Sequence, residues 1–455
     1  MNLFGKRSKC TYLFFLLLLL IPSNALAATE TPAIDTGDTT WVLIATALVL
    51  FMHVPGLALF YGGLVSERNV VSTMMHSFVS LLIVSIVWVL WGYTLSYGTD
   101  LGGGLIGGLD YLGFKDVGGE AALGSLTIPH YLFAMLQIVY AAITVAIISG
   151  GIAGRISFKA WVVFAAVWPT LIYAPMAHWV WGGGWLFQMG ELDFAGGTVV
   201  HILSGVGALV AALMIGPRRG YLEEEQRPHN IVLFLFGAAT LWFGWFGFNG
   251  GSALASGGIT SLAFITTHTA GAAAGLSWLI IEWSLRKRPT LIGTATGAIA
   301  GLVAITPGAG FVTVPSALII GLLAAPVCYF SIHFLKARLK YDDTLDAFGV
   351  HGMAGIWGAI ATGLFATKSV NPAGNNGLFY GNPEQLLHQL TGVGTAVLLS
   401  GIGTFVILKV MGMFMQLRVS EEEEMMGLDL SFHEEPAYNN ENLEKVEEHK
   451  NISGM

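Results

Sequence analysis

Asp193-Phe-Ala-Gly-Gly-Thr-Val-Val-His201-Ile-Leu-Ser-Gly205 opens an apolar run that continues through Leu213 and stops at Gly216-Pro217-Arg218-Arg219. Its length and its stop signals fit a helix that crosses a membrane. Asp193 can accept hydrogen bonds from the free amides of the first turn, where the positive end of the helix dipole lies. His201 follows eight residues later, about 12 Å deeper at the helical rise. An imidazole at that depth is costly unless it faces a protein interior or a water path. Asp346-Ala-Phe-Gly-Val-His351-Gly352 repeats the pattern about 150 residues on. Asp346 is expected to cap its helix as Asp193 caps the first. The rest of the chain reads as machinery that holds these two histidines.

Composition agrees. Hydrophobic residues make up 54% of the 455 residues and charged ones 11%, less than half the charged share of ordinary globular proteins. Mean hydropathy is +0.67. The fold class is therefore an all-α polytopic membrane protein. The 59 glycines lie inside apolar runs, where small residues let helices approach closely. The net charge of -8 sits outside the spans, much of it in Glu421–Glu424 and the tail beyond. No basic surface fit for nucleic acid remains.

Lys6, Arg7 and Lys9 precede the apolar run Tyr12–Ile21, and Ala25-Leu26-Ala27 follows. A basic region, a short apolar core and an Ala-x-Ala end read as a secretory signal peptide over residues 1–27. The alternative is a short first transmembrane helix. Cleavage removes Cys10 and leaves Cys328 alone, so no intrachain disulfide is expected.

About eleven spans are expected after that segment, over 40–64, 71–97, 131–153, 160–180, 195–215, 231–250, 259–284, 290–306, 314–335, 345–366 and 387–415. Arg68, Arg155 with Lys159, Arg218-Arg219-Arg227, Arg286-Lys287-Arg288 and Lys336-Arg338-Lys340 fall in alternate loops. The other loops hold Asp100, Asp110, Asp116, Glu120, Glu191 and Glu384. The positive-inside rule then puts the mature N-terminus outside and the C-terminus inside. Spans 1–5 and 6–10 cross in opposite directions because five is odd, and one extra C-terminal helix follows. His201 and His351 each occupy the last helix of a half. An inverted five-helix repeat with a site at its interface is expected.

Other unusual stretches lie near span ends. Tyr173-Ala-Pro-Met-Ala-His178-Trp-Val-Trp181-Gly-Gly-Gly-Trp185 closes the fourth span, Trp245-Phe-Gly-Phe248-Asn-Gly-Gly-Ser252 the sixth, and Gln137-Ile-Val-Tyr140 sits early in the third. A pocket of Trp181, Tyr140, Phe248 and Ser252 would suit a small cation, through aromatic faces and a hydroxyl acceptor. An aromatic girdle at the lipid interface explains the same residues. For the histidines the alternatives are a structural hydrogen bond between packed helices, a polar step in an apolar conduit, or haem ligation. Haem is disfavoured by the glycine-rich, tightly packed surroundings, and no cofactor is expected. Walker, Gly-x-Ser-x-Gly and His-Glu-x-x-His patterns are absent from the sequence, so the chain does not read as an enzyme.

These residues resemble the ammonium transporter family (Amt/Mep/Rh), in its bacterial Amt branch. Asp193-Phe-Ala-Gly-Gly-Thr-Val-Val-His201, Phe60-Tyr-Gly-Gly63, Trp181-Gly-Gly-Gly, Trp245-Phe-Gly-Phe248-Asn and Phe348-Gly-Val-His351-Gly carry the resemblance, from roughly Trp41 to Tyr438. It implies a homotrimer in the cell inner membrane with one pore per subunit. It further implies an outer recruitment site of Trp181, Ser252 and Tyr140 supported by Asp193, a gate of Tyr140 and Phe248, and twin pore histidines His201 and His351. Ammonium would lose its proton outside and cross as ammonia, the proton being carried separately. Tyr140 stands where many relatives have phenylalanine, and its hydroxyl could tether the gate or bind substrate. Leu136 stands where an aromatic often completes the outer cage. The chain then divides into a signal peptide 1–27, a transmembrane transport domain 28–418 and a cytoplasmic tail 419–455. In relatives the tail packs beneath neighbouring subunits and takes part in inhibition by a PII-type signal protein; read from its residues alone it is an acidic, solvated tail. An ammonium sensor with the same fold and a channel for another small neutral gas are the alternatives.

Overall fold

The computed structural model describes residues 32–223 and 227–438, so the expected signal peptide lies outside the described residues. Among the described residues, ten helices are long and apolar enough to span a membrane: α1 (Thr36–Leu64), α2 (Glu67–Tyr97), α3 (His130–Gly151), α4 (Phe158–Met189), α5 (Gly197–Ile215), α6 (Ile231–Gly251), α7 (Gly258–Arg286), α9 (Val314–Leu339), α10 (Phe348–Phe365) and α11 (Pro383–Met411). The eighth expected span is the shorter apolar helix α8 (Leu291–Ile305). Its 15 residues reach only about 22 Å at the helical rise, short of a full hydrocarbon core. Pro307, two residues past its end, cannot continue the backbone ladder.

The loops sort onto two opposite faces as their charges require. On the basic face, the enclosed Arg155 guanidinium meets Asp342 (Nη1–Oδ2 3.4 Å) and Arg218 reaches the same carboxylate (Nη2–Oδ1 2.7 Å). Three loops, α3–α4, α5–α6 and α9–α10, are thus tied to one side chain. Burial pushes the Asp342 carboxyl up, but its hydrogen bonds to Arg218 and the charge of Arg155 hold it below its ordinary value. The described part of the tail, 419–438, docks on this face and is not freely solvated. Helix α12 (Glu421–Met426) starts at a Ser420–Glu423 capping box, Glu424 pairs with Arg418 (2.8 Å), and Asp429 accepts from the amides of Val71 and Ser72 at the start of α2.

The core sits around α3, whose most apolar stretch is 94% buried, against 28% for α11. Helices α5 and α10 open with wider, π-type turns at Gly197–Ile202 and Phe348–Gly352. Asp193 accepts from four amides there: Gly196 and Gly197 on Oδ1, Thr198 and Val199 on Oδ2, at 2.6–3.0 Å. At α10 the equivalent cap is Asp343, which accepts from Ala347 and Phe348. The expectation for Asp346 is thereby corrected: it pairs with Lys336 at 2.6 Å instead. Its left-handed backbone, φ 57°, turns the chain so that the residue three positions earlier supplies the cap.

The two helices cross where neither has a side chain. A Cβ placed on Gly205 would lie 2.2 Å from the Gly352 amide nitrogen, and one on Gly355 would lie 3.1 Å from the His201 Cβ. Gly205→Ala is therefore expected to lower stability by about 1–3 kcal/mol or more, read as a lower thermal midpoint of the detergent-purified protein. Gly394, whose Cβ would meet nothing within 4 Å, is the control; equal midpoints for the two alanine variants would remove the crossing from the argument. Asp193→Asn should also destabilise, by about 1–3 kcal/mol, because its amide nitrogen cannot accept from the helix start. An unchanged midpoint would show the cap to be dispensable.

Candidate functional site

The glycine crossing sets His201 and His351 face to face. Their Nδ1 atoms are 3.2 Å apart and their rings stack at 5.2 Å and 22°. His201 is fully buried and His351 nearly so. At that distance one Nδ1 must donate and the other accept, so the pair holds a single proton between the facing nitrogens. Trp245 backs His201 at 5.5 Å and is itself fixed by its Nε1 bond to Thr306 (3.0 Å). His201 Nε2 has no protein partner.

Toward the acidic face a file of rings leads away from the pair. Phe248 lies 5.9 Å from His201, Tyr140 lies 4.6 Å from Phe248, and Trp181 lies 6.4 Å from Tyr140. Beyond Phe248 opens a cavity of about 330 Å³ lined in part by Trp181, Tyr140, Ser252, Gln137 and Phe194. Phe248 is fully buried beneath it. The Tyr140 hydroxyl donates to the Phe248 carbonyl (2.8 Å) and meets Ser252 Oγ at 3.0 Å. The extra hydroxyl thus tethers the backbone that carries Phe248.

The five residues expected at the acidic-face site divide between direct and indirect placement. Trp181, Tyr140 and Ser252 line the cavity. Asp193 does not; its backbone oxygen takes the Trp181 Nε1 hydrogen (2.8 Å), so it fixes the indole while its carboxylate is used by the helix start. Burial pushes the Asp193 carboxyl up and the four amides pull against that shift. Leu136 is buried and is not part of the lining; Phe133, Phe187 and Phe194 supply aromatic surface instead.

Sequence reasoning passed over these three phenylalanines and Glu191. Phe194 had a signal, since it directly follows Asp193. Phe133 had one as well, lying a helical turn or two before Gln137 and Tyr140 on α3. Glu191 was visible only as one more acidic loop residue. It is 4% exposed, and Thr198 Oγ1 donates to its Oε1 (2.7 Å). Burial, with the neighbouring Asp193 charge, pushes Glu191 up to about 8. Among the described residues, no three His, Cys, Asp or Glu side chains are gathered as metal ligands would be.

The model of the Ammonium Transporter Family matches residues 40–438. The ammonium transporter of Bacillus subtilis (strain 168) is 52% identical over 402 residues, 88% of this chain and 98% of that one. The crystal structure of Saccharomyces cerevisiae Mep2 superposes with a TM-score of 0.81 at 34% identity, covering 87% of this chain and 90% of the other. A solved structure described as a sensor Amt protein gives the same TM-score and identity over 87% of this chain and 98% of its own. Near-complete coverage in both directions leaves one assignment: the chain belongs to the ammonium transporter family, a family of membrane transporters.

Proposed function

We propose that this protein moves ammonium across the membrane by capturing the ion in the acidic-face cavity and conducting ammonia past His201 and His351. The observation that carries this reading is the unbroken file of rings from Trp181 to His351. Ammonium brings four N–H donors and a positive charge. The cavity offers the faces of Trp181 and Tyr140 and the Ser252 hydroxyl. Below it Phe248 closes the way to anything hydrated. An ion stripped of water in so apolar a passage would cost many kcal/mol, whereas a neutral molecule would not. Deprotonation on the cavity side is thus the cheap route: an N–H bond breaks, its electron pair stays on nitrogen, and the proton leaves to water and crosses separately. Ammonia then meets imidazole nitrogens that can each donate or accept.

The alternating loop charges support placement in the cell inner membrane, with the mature N-terminus periplasmic and the docked tail cytoplasmic. A homotrimer, with one pore per subunit, and contact of a PII-type signal protein with the basic face, belong to the same proposal. The likeness to a sensor Amt protein supports a second reading, in which ammonium binds without net flux.

Proteoliposomes decide between these. Purified protein should give ammonium-evoked current or uptake above empty vesicles; saturable binding with no flux would favour the sensor. Trp181→Leu should raise KM by about five- to thirtyfold, the worth of a desolvated cation–π contact, with kcat less affected. An unchanged KM would remove the indole from the capture site. His351→Ala should change conduction while the protein keeps its oligomeric state and thermal midpoint. Loss of the oligomer in that variant would make the imidazole pair structural.

A further inference from the structure

Two carboxylates lie two residues apart in the loop before α5, both enclosed, with Glu191 4% and Asp193 6% exposed. No ion pair among the described residues involves either of them. They are compensated unequally. Asp193 has four backbone amides, whereas Glu191 has the one hydroxyl of Thr198 and an Oε2 buried with no partner. Thr198 joins the two, its amide on Asp193 Oδ2 (2.8 Å) and its hydroxyl on Glu191 Oε1 (2.7 Å).

The wall opposite Glu191 is α11. A Cβ on Gly392 would come within 2.7 Å of Glu191 Oε1. Gln385 and Gln389 grip the backbone of Gly190 and Leu192 on either side, at 2.7–2.9 Å. The titratable groups near this loop are Asp193 itself and, on α11, His388 with Glu384, which face each other at 3.8 Å where Glu384 is largely exposed. Two adjacent enclosed carboxyls without a cation beside them do not both ionise readily. The better-compensated Asp193 keeps its charge, and Glu191 is the one that holds a proton.

We propose that Glu191 is a positioning residue of the capture site, exchanging its proton with water and thereby setting the negative charge behind Trp181. This rests on the reading of the acidic-face cavity as the place where ammonium is captured. The link is short, since the loop that carries Glu191 also carries the Asp193 carbonyl that holds the Trp181 indole. Coupling of this kind is reciprocal: an ammonium ion in the cavity favours ionised Glu191, and ionised Glu191 favours the ion. Burial and the Asp193 charge push Glu191 up to about 8. Below that value it is neutral; above it a second negative charge appears and capture tightens.

The test measures KM in proteoliposomes, expressed as ammonium-ion concentration, from about pH 6.5 to about pH 9. Wild-type KM should fall by about three- to tenfold on the alkaline side, as for one partly screened unit charge nearby. Glu191→Gln, which still accepts from Thr198, should hold KM flat across the same range. A merely structural glutamate would leave the two profiles parallel, and that result overturns the proposal. Infrared difference spectra of the same proteins supply a readout that needs no transport. Wild type should lose a protonated-carboxyl band over this range that Glu191→Gln lacks; an identical pair of spectra also overturns it. Flux with parallel pH profiles leaves the transport reading standing and removes this one. Absence of any wild-type flux removes the transport reading and the coupling with it, while the band still reports the proton.

Discussion

Gly205 lies against Gly352, and the rest of the architecture serves that contact. Any side chain at Gly205 would enter the backbone of the other helix, 2.2 Å from its nitrogen. Because α5 and α10 belong to opposite halves, the side chains one turn before Gly205 and directly before Gly352 converge from opposite faces of the membrane. His201 and His351 therefore meet at 3.2 Å without any long side chain reaching across. Small residues at helix interfaces permit such close approach where there is little hydrophobic drive to bring helices together. A pair this close, in a dry setting, is fixed by packing more than by its own hydrogen bond.

Charge is confined to the two ends of this assembly. Asp193 and Asp343 each neutralise the orphan amides of a helix that carries one of the histidines, so the positive ends of both helix dipoles are occupied. On the basic face Arg155 is enclosed, its two terminal nitrogens held by Asp342 and neighbouring oxygens while its Nε has no partner. An isolated buried guanidinium would be costly; here it joins three loops whose spacing governs where α10 begins. The docked tail extends the same arrangement, since Asp429 caps α2 and Glu424 holds Arg418.

Much of this was legible in the sequence because it rests on local rules. Apolar runs, glycine and proline stops and alternating loop charges located the helices within a few residues, except that α4 runs on past the expected end at 180 to Met189, and the shortness of α8 is visible in Pro307 once it is read as a stop. The place of the two histidines, last helix of each half, followed from counting. What was not legible depends on backbone conformation or on distant partners. Asp346 and Asp343 are equally good caps on paper; the left-handed turn at Asp346 decides between them. The tail reads as solvated acid because its partners, Arg68, Asn69 and the amides of α2, are more than 300 residues away in sequence. Glu191 looks like a solvent-facing loop residue until Gly392 of α11 closes over it. Leu136 invited a search for a missing aromatic, while Phe133, Phe187 and Phe194 filled that space from other elements.

The ring file also constrains what can be carried, whatever binds at its mouth. From Trp181 to His351 each centroid step is 4.6–6.4 Å, leaving little between one π-face and the next but side-chain surface. The Tyr140 hydroxyl, the polar group beside Phe248, is already engaged with the Phe248 carbonyl and with Ser252. A cation that left the cavity would trade its acceptors for aromatic faces alone, then reach nitrogens already sharing a proton. A neutral molecule with one lone pair and a few N–H bonds gives up much less. It can accept from an imidazole N–H or donate to an imidazole nitrogen, and the Nε2 of His201 has no protein partner. On the proposed reading, selectivity is set by what must be left behind at the cavity, and the rings below it discriminate by refusing to replace water.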